Sequence, residues 1–275
     1  VSAGTVAQAL LDARRAGVDA LDAQCLLADL LDRPRTWLLA HDDAVLDAAQ
    51  LAAFAARLQR RGAGEPLAYL VGKREFFGLS LTVGPEVLVP RPETELLVDW
   101  AIELLRAWRS PAAPRVADLG TGSGAIALAI KAAVPQARVW ASDVSPAALG
   151  VAQGNAHRLG LEVEFACGSW WQPARGLRFD LVVSNPPYID AADPHLRALA
   201  HEPLGALTPG DDGASALREI CAGARDHLEP GAWLLLEHGF AQGAVVRGFF
   251  AAAGLAGAAT RRDLAGQERC TGAAA

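Results

Sequence analysis

Methionine is absent from this 275-residue chain, and lysine occurs twice, as Lys73 and Lys131. With a net charge of −6, that scarcity leaves no broad cationic footprint for a phosphate backbone and argues against nucleic acid as the main substrate. No apolar run reaches the roughly eighteen residues of a spanning helix, and no charged-then-apolar leader opens the chain. A soluble protein of the cytoplasm, without a membrane partner, is therefore expected. Cysteine is limited to Cys25, Cys167, Cys221 and Cys270, far apart and without a Cys-x-x-Cys pair. Buried thiols in a reducing compartment are the default for such a set. The six histidines lack the paired spacing of a metal site, so no metal is expected. Internal repeats are not evident, and with no coiled-coil segment a monomer is the expectation. Val1 in a chain without methionine reads as a translated GUG start codon, which intact-mass measurement would check.

What is present divides in two. From Ala7 to about Gly72 the apolar residues recur at helical spacing: Val6, Leu10 and Ala13, then Leu21, Cys25 and Ala28, then Leu51, Phe54, Ala55 and Leu58. No nucleophile or metal cluster lies there, which assigns residues 1–73 to contact and not to chemistry. From Phe76 to Val89 alternation takes over, with Leu79, Leu81 and Val83 on one face, and residues 74–91 read as a β-hairpin linker. Pro92 then opens a helix, Glu93 to Leu105, with acids in its first turn where the helix dipole favours them.

A loose run, residues 109–114, precedes an alternation of strands and helices over residues 92–275. Strands are expected at Val116 to Asp118, Val139 to Asp143, Val163 to Cys167, Leu181 to Ser184 and Trp233 to Glu237, which makes the domain an α/β, doubly wound, mostly parallel sheet. The last strand, near Glu268 to Gly272, reads as short and weak. The stretch Asp190 to Gly213 interrupts the alternation and is long enough to lie over a site.

Three motifs fall at expected strand ends. Asn185-Pro186-Pro187-Tyr188 follows an apolar strand. Its two prolines remove backbone donors, so the Pro186 carbonyl is free to face a bound group. Asn185 adds a side-chain carbonyl and Tyr188 an aromatic wall, a set suited to a planar NH2 group. Upstream, Asp118-Leu119-Gly120-Thr121-Gly122-Ser123-Gly124 runs from a strand through a glycine-rich turn into a helix, where backbone can approach a ligand closely. Asp143 ends the next strand, where an adenosine ribose would place its hydroxyls. The glycines are Gly-x-Gly-x-Gly, not the dinucleotide pattern, and S-adenosylmethionine fits better than a nicotinamide. Turn, acid and Asn-Pro-Pro-Tyr in this order describe an N-methyltransferase.

These motifs, together with Glu65 to Gly72, Pro90-Arg91-Pro92-Glu93-Thr94-Glu95, Ser169-Trp170, Glu202-Pro203 and Leu234 to Gly239, resemble the HemK/PrmC family over nearly the whole length. Asn-Pro-Pro-Tyr alone is shared with nucleic-acid amino-methyltransferases; the Pro-Arg-Pro-Glu-Thr-Glu segment and the helical region are far more particular. The resemblance implies a Rossmann-like class I methyltransferase fold with an N-terminal helical-bundle domain for substrate recognition. It implies methylation, with S-adenosylmethionine as donor, of the N5 amide of the glutamine in the Gly-Gly-Gln motif of peptide-chain release factors. It also implies that Gly120, Thr121, Gly122, Ser123 and Gly124 wrap the cofactor, that Asp143 holds its ribose, and that Trp170 flanks the adenine. Asn185 would bridge cofactor and substrate, and Asn185 with Pro186 would grip the glutamine amide, with Pro187 and Tyr188 beside it. Trp171 receives no role. Ser169 departs from the pattern, which places an acid before the tryptophan. Two other readings stay open on the residues alone, a nucleic-acid amino-methyltransferase and an adenosylmethionine-binding scaffold without activity.

Overall fold

A computed structural model describes residues 4–110, 112–210 and 212–275. Val1 of the start-codon reading, Pro111 of the loose run and Asp211 of the long interruption lie outside the described residues. The chain divides into two compact units, Val1–Lys73 and Arg74–Ala275.

The first unit is helical, with α1 (Val6–Arg15), α2 (Ala20–Leu30), α3 (Arg35–Ala40), α4 (Ala48–Gly62) and α5 (Leu67–Val71). Two short strands, β1 (Gly4–Thr5) and β2 (Val45–Leu46), pair antiparallel. Side chains set where helices begin: Asp47 and Gln50 form a reciprocal capping box, and Asp19 accepts from the Leu21 and Asp22 N–H groups. The core gathers Val6, Ala13, Leu26, Leu27, Leu38 and Phe54. Two residues of the expected stripe, Leu21 and Ala55, are exposed. The Asp19 cap puts Leu21 in the first turn of α2, off the face that buries Ala23, Leu26 and Leu27, and the stripe of α4 is too narrow to take Ala55 beside Phe54.

A hairpin of β3 (Lys73–Phe76) and β4 (Leu79–Thr82) follows. Its turn residues Phe77 and Gly78 have φ of 50° and 77°, the primed-turn geometry that suits the twist of paired strands. The alternation expected to reach Val89 ends as strand at Thr82. Val83, Val87 and Val89 are buried, but Val87 N–H bonds back to the Gly84 carbonyl in a turn.

The rest of the second unit is a seven-stranded sheet. A 3-10 turn (Pro92–Thr94) leads into α6 (Glu95–Arg106), followed by β5 (Arg115–Leu119), α7 (Ala125–Ala133), β6 (Arg138–Asp143), α8 (Pro146–Leu159), β7 (Glu164–Cys167) and β8 (Phe179–Ser184). Then come α9 (Ser215–His227), β9 (Leu228–Glu237), α10 (Gly243–Ala252), β10 (Ala256–Arg262) and β11 (Glu268–Ala274). The sheet order is β10-β11-β9-β8-β5-β6-β7. The pairs from β9 through β8, β5 and β6 to β7 are parallel, and β11 runs antiparallel to both its neighbours.

Successive residues of the central strands enter opposite cores. Val116, Leu181, Val183 and Leu235 pack with α6 and α7; Ala117, Val182, Leu234 and Leu236 pack with α9 and α10. Burial on both faces is why these strands read as unbroken apolar runs. Among the described residues no helix is long and apolar enough to cross a membrane.

Two expectations are corrected here. The last strand is not short and weak: β11 has seven residues and lies inside the sheet. Its small side chains hide it, since Trp100 and Leu235 occupy the space over Gly272, where an added Cβ would come within 2.8 Å of the indole. The thiols are not all buried either. Cys221 and Cys270 are, Cys25 is half-buried, and Cys167 is exposed because it closes β7 on the sheet's edge. Replacing Gly272 by alanine should destabilise the protein by about 1–3 kcal/mol through overpacking. Urea unfolding of Gly272→Ala measures this, and an unchanged midpoint would contradict the packing account.

Candidate active site

The parallel register aligns Leu119 with Ser142 on one side and with Ser184 on the other, and Ser184 with Leu236. The next residues, Gly120, Asp143, Asn185 and Glu237, therefore stand in a row along one edge of the sheet. From β5 the chain continues to β6 on one side while β8 lies on the other, the switch point at which open α/β sheets bind ligands. A cavity of about 250 Å³ opens there, walled by Gly120, Gly122, Asp143, Trp170 and Asn185 among others.

Each glycine of the turn has positive φ: 73° at Gly120, 55° at Gly122 and 83° at Gly124. The N–H groups of Gly120 and Thr121 both donate to the Ser142 carbonyl, which pins the turn to β6. A Cβ at Gly122 would meet nothing within 4 Å, whereas at Gly124 it would lie 3.0 Å from Leu128 and 3.3 Å from Ala152. Gly122 thus leaves backbone open to the cavity, and Gly124 lets α7 start close to α8. Thr121 and Ser123 also face the cavity.

Asp143 is held by two backbone donors, Gly122 N–H on Oδ2 and Ser145 N–H on Oδ1, each at 2.9 Å. Each oxygen keeps acceptor capacity for a further hydroxyl. Trp170 lies against Gly120 with φ of 43°, and Val144, 70% exposed, joins it on the cavity wall. A fixed carboxylate with acceptor capacity to spare, an indole face on the cavity wall and open turn backbone make a lining that S-adenosylmethionine fits.

Asn185 donates from Nδ2 to Thr94 Oγ1 at 3.2 Å, so its Oδ1 is turned the other way. Pro187 joins Asn185 on the wall, and Pro186, between them in sequence, is buried. Tyr188 is not on the wall; it packs into the α9–α10 core and donates its hydroxyl to Glu237 Oε1 at 3.2 Å. Burial, and then the Glu237 charge, push the Tyr188 phenol above its ordinary range. The Gln242 amide donates to the carbonyls of Tyr188 and Gly213 and accepts from Gly239 N–H, tying the motif to the turn after β9. Ser169 faces the cavity. Trp171 is structural, stacked on His227 with centroids 4.7 Å apart and donating to the Ile220 carbonyl.

Part of the long interruption reaches the site, since Pro203, Gly205 and Ala206 line the cavity. It is anchored by Glu202, which accepts from Val89 N–H at 3.1 Å and from Arg91 at 2.5 Å.

Two buried acids stand at this edge of the sheet, Asp118 and Glu237. Asp118 accepts on Oδ2 from Thr121 Oγ1 at 2.7 Å and from Ala127 N–H at 3.2 Å, and its Oδ1 has no partner. Burial pushes it up to about 7, against those two hydrogen bonds and helped by the charge of Asp143. Burial likewise pushes Glu237 up to about 7; Thr94, Arg269 and Tyr188 act to lower it and Glu93 to raise it. His238, next in sequence, is buried and held below its ordinary value, chiefly by desolvation. Its Nδ1 contacts the Gly239 carbonyl, which can only accept, so Nε2 accepts from Thr271, Thr271 from Thr260, and Thr260 from Arg247. Among the described residues no cluster could hold a metal ion.

Sequence reasoning gave no role to Thr94, Asp118, Glu202, Glu237 or Gln242. The acids had a signal: Asp118 and Glu237, like Asp143, sit at or just before the end of an apolar strand.

The sheet order, the glycine turn and the cavity at the switch point define a class I methyltransferase. Residues 3–72 match the PrmC N-terminal domain family and residues 97–204 the methyltransferase small domain family. The chain is 49% identical over 266 residues to the release factor glutamine methyltransferase of Xylella fastidiosa (strain Temecula1 / ATCC 700964), covering 96% of each. It is 49% identical over 260 residues to that of Bordetella pertussis (strain Tohama I), covering 93% of this chain and 95% of the relative. Among solved structures, a methyltransferase from Pyrococcus furiosus is similar in fold, at 19% identity and a TM-score of 0.52, over 80% of this chain and 96% of the other. The chain belongs to the family of release factor glutamine methyltransferases.

The raised pKa of Asp118 carries a pH signature. Its folded value exceeds the unfolded one, so its contribution to stability is fully present below the unfolded value of about 3.9 and is lost as pH rises towards 7. Asp118→Asn should therefore gain about 2–3 kcal/mol relative to the parent between pH 5 and pH 8. Urea unfolding of both proteins at each pH checks this, and a pH-independent difference would count against the burial argument.

Proposed function

We propose that the cavity is where this chain carries out the reaction of its family. The methyl group of S-adenosylmethionine passes to the side-chain amide nitrogen N5 of the glutamine in the Gly-Gly-Gln motif of release factors, leaving S-adenosylhomocysteine. The observation that carries the site reading is that Asn185 shares one cavity with Asp143 and the glycine turn, its nitrogen spent on Thr94 and its oxygen free to accept.

Bound S-adenosylmethionine supplies an electrophilic methyl on a sulfonium. An amide nitrogen is a poor nucleophile because its lone pair is delocalised, so the protein's task is positioning and electrostatics. Asn185 Oδ1 and the Pro186 carbonyl each accept one hydrogen of the substrate amide, aiming the nitrogen and placing two fixed dipoles where positive charge develops. Pro187 and the ordered Tyr188 hold that acceptor pair rigid. Once alkylated, the nitrogen loses its proton readily, and no dedicated base is required. Gly120 to Gly124, Asp143 and Trp170 bind the cofactor. Two lysines and a net charge of −6 favour protein over nucleic acid as substrate, and we assign the enzyme to the cytoplasm as a monomer.

Labelled S-adenosylmethionine offered with release factor, DNA or ribosomal RNA tests the substrate class; label in either nucleic acid and none in the factor would overturn it. Asn185→Ala should lower single-turnover methyl transfer about a hundredfold, the equivalent of about 3 kcal/mol, with little change in cofactor affinity. Asp143→Ala should do the reverse, raising the cofactor dissociation constant roughly tenfold or more in calorimetry. An exchange of these two phenotypes would move the ribose and the amide to other residues.

The helical unit, which carries no catalytic constellation, is assigned to docking the release factor. A fragment beginning at Arg74 should still bind S-adenosylmethionine but should methylate intact factor much more slowly, because a second contact surface raises the effective concentration of the glutamine. A short Gly-Gly-Gln peptide should be a poor substrate for fragment and full chain alike. Equal efficiency of the two proteins on the intact factor, once the fragment is shown to be folded, would leave the helical unit only a folding role.

A further inference from the structure

Glu237 does not line the cavity, yet the register of β8 and β9 sets it level with Asn185. It is 1% exposed. One carboxylate oxygen accepts from Tyr188, and the other is buried without a partner of hydrogen-bonding geometry. Thr94, itself 4% exposed, is close enough to act on that carboxylate while accepting from Asn185 Nδ2. Asn185 and Tyr188, the two ends of the motif, thus lead to one buried acid.

A side-chain amide has two ends of similar shape and opposite chemistry, and a lone threonine hydroxyl bonds either, accepting from the nitrogen or donating to the oxygen. The hydroxyl has one proton. If an acceptor-only group takes that proton, the hydroxyl can meet Asn185 only as an acceptor, and the nitrogen must face it. An ionised Glu237 is such a group, and its unfilled oxygen is the acceptor on offer. A neutral Glu237 has a proton of its own to give Thr94, which frees the threonine proton to turn to Asn185 Oδ1 and flips the amide. The flipped amide presents N–H groups to the cavity and cannot accept from a substrate amide.

We infer that Glu237 is a positioning residue for methyl transfer: through Thr94 it selects the orientation of Asn185 that presents Oδ1, and through Tyr188 it orders the other end of the motif. This rests on the reading of Asn185 as the acceptor of the substrate amide. The groups facing the carboxylate are Glu93 and Thr94 from the turn before α6, Tyr188 from the segment after β8, and Arg269 and Cys270 from β11. His238, its neighbour in sequence, is spent in its own hydrogen bonds. Burial outweighs Arg269 and leaves the acid half-ionised at about pH 7, so the selecting form gains as pH rises through 7 and is lost below it.

The test measures single-turnover methyl transfer to release factor from pH 6 to 8.5, at saturating S-adenosylmethionine, for the parent, Glu237→Gln, Thr94→Val and Asn185→Ala. The parent rate should rise as pH passes 7 and then level off. Glu237→Gln and Thr94→Val should each be at least tenfold slower at pH 8, with the rise abolished, while cofactor affinity stays within about twofold. Glu237→Asp, which keeps an acceptor-only group, should recover part of both rate and pH dependence. Thr94→Val leaves the buried acid in place and is the decisive variant if Glu237→Gln does not fold. Parent-like rate and pH profile in Thr94→Val, or in folded Glu237→Gln, alongside an Asn185→Ala slowed about a hundredfold, overturn the positioning role alone. A parent-like Asn185→Ala instead overturns the reading of the site on which it rests.

Discussion

Parallel pairing of β6, β5, β8 and β9 is the constraint on which the site depends, because it makes four strands of different sequence stop at one level. Leu119, Ser142, Ser184 and Leu236 share a row of the sheet, and whatever follows them is presented side by side. An antiparallel neighbour would send the next segment to the far end of the sheet. The glycine turn, Asp143, the Asn-Pro-Pro-Tyr motif and the buried Glu237 are separated by tens of residues and are brought together by that register.

That edge costs stability. Asp118 and Glu237 are both fully buried, each has one oxygen unsatisfied, and burial holds both near neutrality. An unpaired buried acceptor costs about 1–3 kcal/mol, so a core built only for stability would carry apolar residues at these places. Their hydrogen bonds give the reason for keeping them: Asp118 organises the glycine turn through Thr121 and the start of α7, and Glu237 holds Tyr188. The same edge carries a non-glycine residue with left-handed backbone, Trp170, at φ of 43°.

Much of this architecture was legible in the sequence, and the reason is physical. Strands buried on both faces must be apolar throughout, so Leu181 to Val183 and Leu234 to Leu236 declare themselves, and a turn that needs left-handed backbone must carry glycine. The C-terminal hairpin was less legible because its close packing selects small residues; Gly272 and Ala273 look like the opposite of a strand signal until Trp100 is seen above them. In the sequence Thr94 reads as part of an ordinary helix start, and Glu237 as the end of a strand. Neither reading was wrong locally, but their partnership with Asn185 exists only in the folded register. Tyr188 marks the limit of motif reasoning: it belongs to the site motif, and the structure turns it into the core behind the cavity.

The chain of hydrogen bonds from Arg247 through Thr260, Thr271 and His238 to the Gly239 carbonyl runs in one direction, from a permanent donor to a permanent acceptor. Each hydroxyl has its single proton committed, the imidazole is fixed in one tautomer, and neither terminus can reverse its role. Such a chain is a proton insulator. His238, beside the row, is thereby removed from acid–base duty, and the proton shed by a methylated amide has no route inward through it.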